Sequence, residues 1–138
     1  MRAITFISLV FILCCASSIK AAAQNNKLNG TWVPVKQEMA GKELPKVVYE
    51  KQKLVMVDSS YILTAESVDK GAVKYDDHDK MDIYGKEGVN TGKHFTAIYK
   101  FENDQLTVCY NLAGDSYPEA FETKSKPTLF LSIFTRQQ

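Results

Sequence analysis

Side chains that could do chemistry are concentrated in one acidic run, which places four carboxylates and an imidazole within seven residues: Asp76, Asp77, His78, Asp79 and Asp82. Such a group could hold a hard divalent cation through its carboxylate oxygens. The spacing does not match a calcium-binding loop, because Met81 stands at the fifth position counted from Asp77, no glycine follows at the sixth, and no bidentate glutamate lies at the expected distance. We therefore interpret the run as a solvated loop between strands and predict no metal site.

Two other features resemble parts of catalytic arrangements. Gly114-Asp115-Ser116 lacks the flanking glycines that create a strained nucleophile turn, and only His78 and His94 could act as its base. Cys109 belongs to no Cys-x-x-Cys pair and lies beside Val108 in a predicted strand, which is typical of a small buried apolar residue. The sequence therefore predicts no catalytic residue, no cofactor and a protein that is not an enzyme.

Aromatic rings are the remaining candidates for a functional site. The chain contains seven tyrosines and seven phenylalanines, and phenol hydroxyls among apolar rings can orient a ligand inside a pocket. We predict that such a pocket is lined by Tyr61, Tyr99, Tyr110 and Phe121. Small barrels often fill their interior with their own side chains, so a pocket and a filled interior both stay open at this point.

The first 23 residues have the features of an export signal. Arg2 supplies a short positive region, and residues 3–16 form an apolar run that is too short to span a bilayer. Small residues, Ala21-Ala22-Ala23, provide a cleavage site. We predict a signal peptide over residues 1–23 and a periplasmic or secreted domain over residues 24–138, with no transmembrane span after cleavage.

Cysteine usage bears on both anchoring and stability. Attachment of a lipid to Cys14 or Cys15 is an alternative processing route, and it would make the protein a membrane-anchored lipoprotein. In the cleaved form only Cys109 remains, so no internal disulfide can form. The exported domain must therefore depend on its apolar core, which is feasible for a single domain of this length.

Charge excludes one class of partner. The chain has 17 Lys and Arg against 16 Asp and Glu, and without Arg2 and Lys20 of the leader the count is 15 against 16, a net charge of −1. The lysines are scattered singly along the chain. Because nucleic acids and anionic membranes bind clustered basic surfaces, we predict neither as a partner.

The elements that must position these side chains are short β-rich runs, separated by turn residues about every ten positions. The clearest hairpin joins residues 94–101 to residues 105–110 through Asn103-Asp104, two residues that tolerate positive φ. Residues 43–52 are predicted as a short helix or an irregular crossing, and residues 118–124 as a strand that carries Phe121. Eight or nine strands in sequential hairpins predict an all-β fold, a single antiparallel up-and-down barrel closed between residues 28–37 and 130–136.

Several short motifs carry a resemblance to a known family: Leu28-Asn29-Gly30-Thr31-Trp32, Gly41-Lys42-Glu43-Leu44-Pro45, the hairpin of Tyr99-Lys100-Phe101 with Leu106-Thr107-Val108-Cys109-Tyr110, Pro118-Glu119-Ala120-Phe121, Ser125-Lys126-Pro127 and a last strand that ends in Arg136. With them the chain resembles a bacterial family of exported lipocalin-like domains and, more widely, the lipocalin superfamily. The resemblance implies a lipocalin-like barrel in which Gly30 and Trp32 lie at the closed end and the Arg136 guanidinium covers the indole. The Thr-Asp-Tyr motif of the lipocalins proper is absent from the sequence.

Fold and ring content together predict non-enzymatic binding of a small, mainly apolar molecule in the barrel. The alternative is a protein-interaction module, an inhibitor or adaptor with a filled core, that uses the loops Asp76–Asp79 and Gly85–Gly92. A cavity in the interior favours the first function, and a filled interior with an exposed apolar patch favours the second.

Overall fold

The computed structural model describes residues 27–138, which form nine strands and one short helix. The elements in chain order are β1 (Gly30–Met39), β2 (Lys42–Glu43), α1 (Lys46–Tyr49), β3 (Lys53–Val57), β4 (Ser60–Thr64), β5 (Val68–Tyr75), β6 (Lys80–Glu87), β7 (His94–Glu102), β8 (Gln105–Asn111) and β9 (Leu129–Arg136). The predicted signal peptide and the lipidation sites Cys14 and Cys15 lie outside the described residues.

Eight of the strands close into an antiparallel barrel. From β3 to β9 each strand pairs with the next one along the chain, and β1 pairs with β3 on one side and with β9 on the other. The short strand β2 only extends the end of β1 as a small hairpin. The predicted all-β, up-and-down barrel is thus confirmed, and closure leaves none of its eight strands with a long unpaired edge.

Turn chemistry and alternation explain the hairpins. Asn103 and Asp104 both have positive φ, 52° and 60°, as the tight turn between β7 and β8 requires. Along β7, the inward side chains alternate with outward ones because the side-chain period of a strand is two. Pro34 lies within β1, where a register shift between Pro34 and Lys36 accommodates it against β9.

One end of the barrel is closed around the chain's only tryptophan. Trp32 is completely buried, and its Nε1 donates a hydrogen bond to the carbonyl of Leu28 at 2.8 Å. The guanidinium carbon of Arg136 lies 4.3 Å from the centre of the indole, and the ring of Phe101 meets the indole edge-on at 5.9 Å. Rings and a terminal cation therefore seal this end.

The long connection between β8 and β9 departs from the sequence expectation. The predicted strand over residues 118–124 is wrong, because residues 112–128 contain no strand and cross the outside of the barrel. The side chain of Thr123 is fully buried there, accepting a hydrogen bond from the Gly41 amide at 2.8 Å and donating one to Glu38 at 2.7 Å. We call residues 112–128 the strap.

Cys109, an outward position of β8, is buried as predicted.

Residues 43–52 match the first of the two predicted alternatives, since α1 is a single helical turn that begins after Pro45. Tyr49 is its buried residue, and the Tyr49 hydroxyl donates to the carbonyl of Val35 at 3.2 Å. This bond fixes α1 against β1.

Candidate functional site

The barrel interior contains a cavity of about 580 Å³. This volume lies within the range of about 300–1,000 Å³ that is typical of small-molecule sites. Its walls are mainly apolar and come from inward positions of five strands: Leu54, Met56, Val73, Ile83, Val108 and Phe134. Of the two alternatives that the sequence leaves open, a cavity or a filled interior, the structure has the cavity.

The cavity opens at the end opposite Trp32. Met39 at the end of β1, Lys93 just before β7 and Leu112 just after β8 all line it, and strand direction places these positions at the same end of the barrel. Lys93 and Leu112 are exposed, which marks them as the rim. We call this end the mouth.

Two phenol hydroxyls belong to the cavity lining, those of Tyr61 and Tyr110. Burial raises the pKa of Tyr61, and the nearby Asp69 carboxylate raises the pKa of Tyr61 further. Burial also raises the pKa of Tyr110. Because both pKa values are raised, both residues are neutral phenols at pH 7 that can donate to a bound molecule.

A glycine positions one of these rings. A Cβ atom built at Gly71 would meet ring atoms of Tyr61 at 2.5 Å and 2.8 Å. The ring of Tyr61 therefore lies directly against the backbone of β5, which a larger residue at position 71 would prevent. This close approach keeps the phenol at the wall and leaves the middle of the cavity open.

Of the four predicted ligand-binding residues, the structure brings two together at the cavity and two elsewhere. Tyr61 and Tyr110 line the cavity. Tyr99 faces inward but lies nearer the closed end, where it is buried edge-on against Tyr75 at 6.0 Å and does not line the cavity. Phe121 belongs to the strap on the outside of the barrel, with the Lys100 ammonium 4.8 Å above its ring. The predicted strand that placed Phe121 inside does not form, which explains the difference.

Sequence reasoning missed most of the mouth. Gln37, Gln52, Asn90, Lys93, Phe95 and Phe130 also line the cavity. Alternation in β7 could have found Phe95, since it places Phe95 on the same face of the strand as Tyr99, a predicted pocket residue. Gln37 and Phe130 lie on β1 and β9, whereas Gln52, Asn90 and Lys93 lie in connections whose positions the sequence pattern does not predict.

A polar cluster on the outer surface attaches the strap. The Asp82 carboxylate lies 2.7 Å from His94 Nε2 and accepts a hydrogen bond from the Tyr117 hydroxyl at 2.5 Å. Burial by itself raises the pKa of Asp82, but the hydrogen bonds from Tyr117 and His94 outweigh it, and the net pKa of Asp82 is lowered. Tyr84 stacks on His94 with ring centres 4.8 Å apart. The Asp–His pair thus has a structural use, which is to hold Tyr117 and the strap.

The remaining chemical candidates have structural roles as well. Asp76 Oδ1 accepts hydrogen bonds from the backbone amides of His78 at 2.8 Å and Lys80 at 3.2 Å, so it closes the turn between β5 and β6. Ser116 of the Gly-Asp-Ser triplet contacts Asn111 of β8, not a histidine. Burial raises the pKa of the Cys109 thiol.

Within residues 27–138, no three His, Cys, Asp or Glu side chains are grouped so that they could hold a metal ion. The same part of the chain contains no helix with the length and apolar character needed to cross a membrane. Comparisons with profiles of protein families, with curated proteins and with solved structures each gave no match.

Proposed function

We propose that this protein binds a small, mainly apolar molecule inside its barrel, without a cofactor and without catalysis. The single observation that carries the proposal is the cavity of about 580 Å³ with apolar walls and an open mouth. Apolar walls stabilise an apolar guest by about 0.8 kcal/mol for each buried CH₂ group. An apolar body of moderate size therefore has enough driving force to bind.

Two features add orientation to this driving force. The neutral hydroxyls of Tyr61 and Tyr110 can donate to an acceptor atom of the guest deep in the cavity. Amide side chains near the mouth, such as Gln52, offer a second polar zone. We further propose that binding takes place outside the cytoplasm, which rests on the leader-like composition of residues 1–23. A filled interior would have favoured the interaction module, so the cavity supports ligand binding over that alternative.

The test is a fluorescence titration with N-phenylnaphthylamine, a neutral apolar dye whose emission rises in an apolar site. We expect saturable binding with a Kd in the micromolar range, about −8 kcal/mol. Absence of any saturable signal, combined with a purified protein that carries no small molecule in native mass spectrometry, would overturn the proposal.

A matched pair of variants assigns the signal to the cavity. Leu63→Trp places a large ring into the cavity lining, whereas Ile62→Trp places the same ring on the outer face of the same strand. We expect Leu63→Trp to weaken dye binding at least about tenfold, which corresponds to about 1.4 kcal/mol, and Ile62→Trp to leave it unchanged. Equal effects of the two substitutions would mean that the dye binds outside the barrel.

A further inference from the structure

The charge at the mouth is unbalanced. Among residues 27–138, Lys93 is the only charged side chain that lines the cavity. Its Nζ lies 3.5 Å from the Asn90 amide oxygen, and no carboxylate of residues 27–138 comes within 4.0 Å of it. By contrast, Lys70 on the outer surface lies 3.8 Å from the Glu87 carboxylate. Lys93 therefore presents an ammonium group without an ionic partner at the rim of an apolar cavity.

One buried carboxylate, that of Asp69, is separated from the cavity by a loop. Asp69 is buried, and its Oδ1 accepts a hydrogen bond from the Asn90 amide at 3.1 Å. The backbone of Gly88 lies directly against the same oxygen. Asp69 does not line the cavity, its charge is engaged behind residues 88–90, and no carboxylate of residues 27–138 is part of the cavity lining.

We infer that the cavity selects amphiphiles that carry a negatively charged end group, such as a carboxylate on an aliphatic tail, with the anion at Lys93 and the tail inside. The inference rests on the proposed function and names its ligand class. An ion inside the cavity would lose its hydration among apolar walls, whereas a carboxylate at the rim keeps contact with water and gains an ammonium donor. The tail then occupies the space between Leu54, Val73 and Val108.

Three probes with the same tail and different end groups test this assignment: decanoate, decanol and decylamine, each displacing N-phenylnaphthylamine at pH 7. We expect decanoate to bind about three- to tenfold more tightly than decanol, the effect of one charge-assisted hydrogen bond at a partly solvated position. Decylamine should bind more weakly than decanol, because its cation faces the ammonium of Lys93.

Substitutions then identify the residue responsible. Lys93→Met should remove the difference between decanoate and decanol, and Lys93→Glu should reverse the preference toward decylamine. Lys86→Met is the matched control, since Lys86 is an exposed lysine on the outer face of β6 with its ammonium 5.8 Å from the Tyr84 ring. That variant should keep the full preference for decanoate.

The outcomes separate the two proposals. If decanol displaces the dye but decanoate gains nothing, or if Lys93→Met keeps the preference, the anion assignment fails while apolar binding stands. A preference for decylamine in the unmodified protein would also overturn the assignment, and would point to Asp69. If the dye binds but none of the three probes displaces it, the ligand class fails while apolar binding stands. If the dye itself does not bind, the proposed function fails and the ligand class with it.

Discussion

Replacing Arg136 by methionine tests the closure of the barrel. The guanidinium covers the indole of Trp32 with 4.3 Å between the guanidinium carbon and the ring centre, and it donates to the carbonyls of Asn29 and, at 2.8 Å, of Lys27. A cation over an aromatic face at an exposed site contributes about 0.5–1 kcal/mol. Each of the two hydrogen bonds, made by an exposed side chain, contributes about 0.5 kcal/mol. We expect Arg136→Met to lower the free energy of unfolding by about 1.5–2 kcal/mol.

The assay is urea unfolding followed by the fluorescence of Trp32, the chain's only tryptophan and a fully buried one. With a slope of about 1.5 kcal/mol/M, the midpoint should fall by about 1 M. Arg136→Lys keeps a cation near the ring but not the pair of hydrogen bonds, so it should lose roughly half as much. Lys42→Met, at the far end of the barrel, is the control and should stay within about 0.5 kcal/mol of the unmodified protein. If Arg136→Met matched this control, the cation over the indole would contribute nothing and our account of the closed end would be refuted.

Three further predictions follow from the same contacts. Gly30→Ala should destabilise the fold by about 1–3 kcal/mol in urea unfolding, because Gly30 has a φ of 140° and a Cβ there would collide with the Arg136 guanidinium; a neutral result would mean that the terminal arginine moves freely. Burial raises the pKa of Tyr75 to about 12, and the hydrogen bond to a carboxylate raises that of Tyr117 to about 12. A raised phenol pKa contributes fully to the stability of the folded state below about pH 10, and this contribution is lost as the pH rises toward about 12, so the free energy of unfolding should decline in this window. Tyrosinate absorbance that completes its rise near pH 10 in the folded protein would contradict this prediction. Thr123→Val should cost about 1–3 kcal/mol in thermal or urea unfolding because it leaves a backbone amide of the β1–β2 turn without its acceptor, whereas no loss would show that the strap is not attached there.

Local rules predicted the parts of this fold that depend on neighbouring residues in the chain. Alternation places Phe95 and Tyr99 on one face of β7, and the Asn103-Asp104 pair gives the hairpin turn, because both depend only on the strand period and on allowed φ values. The closure of β1 on β9 followed from the need to remove sheet edges.

The strap could not be predicted in this way. Residues 118–124 are predicted as a strand because Phe121 lies between two turn signals, yet this part of the strap has no free edge to pair with once the eight barrel strands are closed. Its polar groups are satisfied instead by side-chain contacts from distant positions, such as the bond between Tyr117 and Asp82. Contacts of this kind depend on three-dimensional placement, so the local sequence pattern does not predict them.

The cavity lining also combines features set by neighbouring residues with features set by three-dimensional placement. The sequence predicts that aromatic side chains face inward, but whether an inward ring lines a cavity depends on its level along the barrel axis. Tyr99 lies at a level where the ring of Tyr75 packs against it, whereas Tyr61 and Tyr110 lie at levels where they line the cavity. The register of the strand pairs fixes these levels, and the sequence pattern alone does not define that register for every pair.

A glycine links the architecture of the mouth to its charge. The Gly85 amide donates to the Lys93 carbonyl at 3.0 Å, and the Gly85 carbonyl accepts from the Gly92 amide at 3.0 Å. Any Cβ at position 85 would run into the backbone of Asn90, so only glycine lets the loop fold this far inward. The close approach both covers Asp69 and brings Lys93 to the rim, because Asn90 supplies the amide that binds the Asp69 carboxylate. The sign of the charge at the cavity mouth is therefore set by the backbone of β6 and by the lysine that it positions.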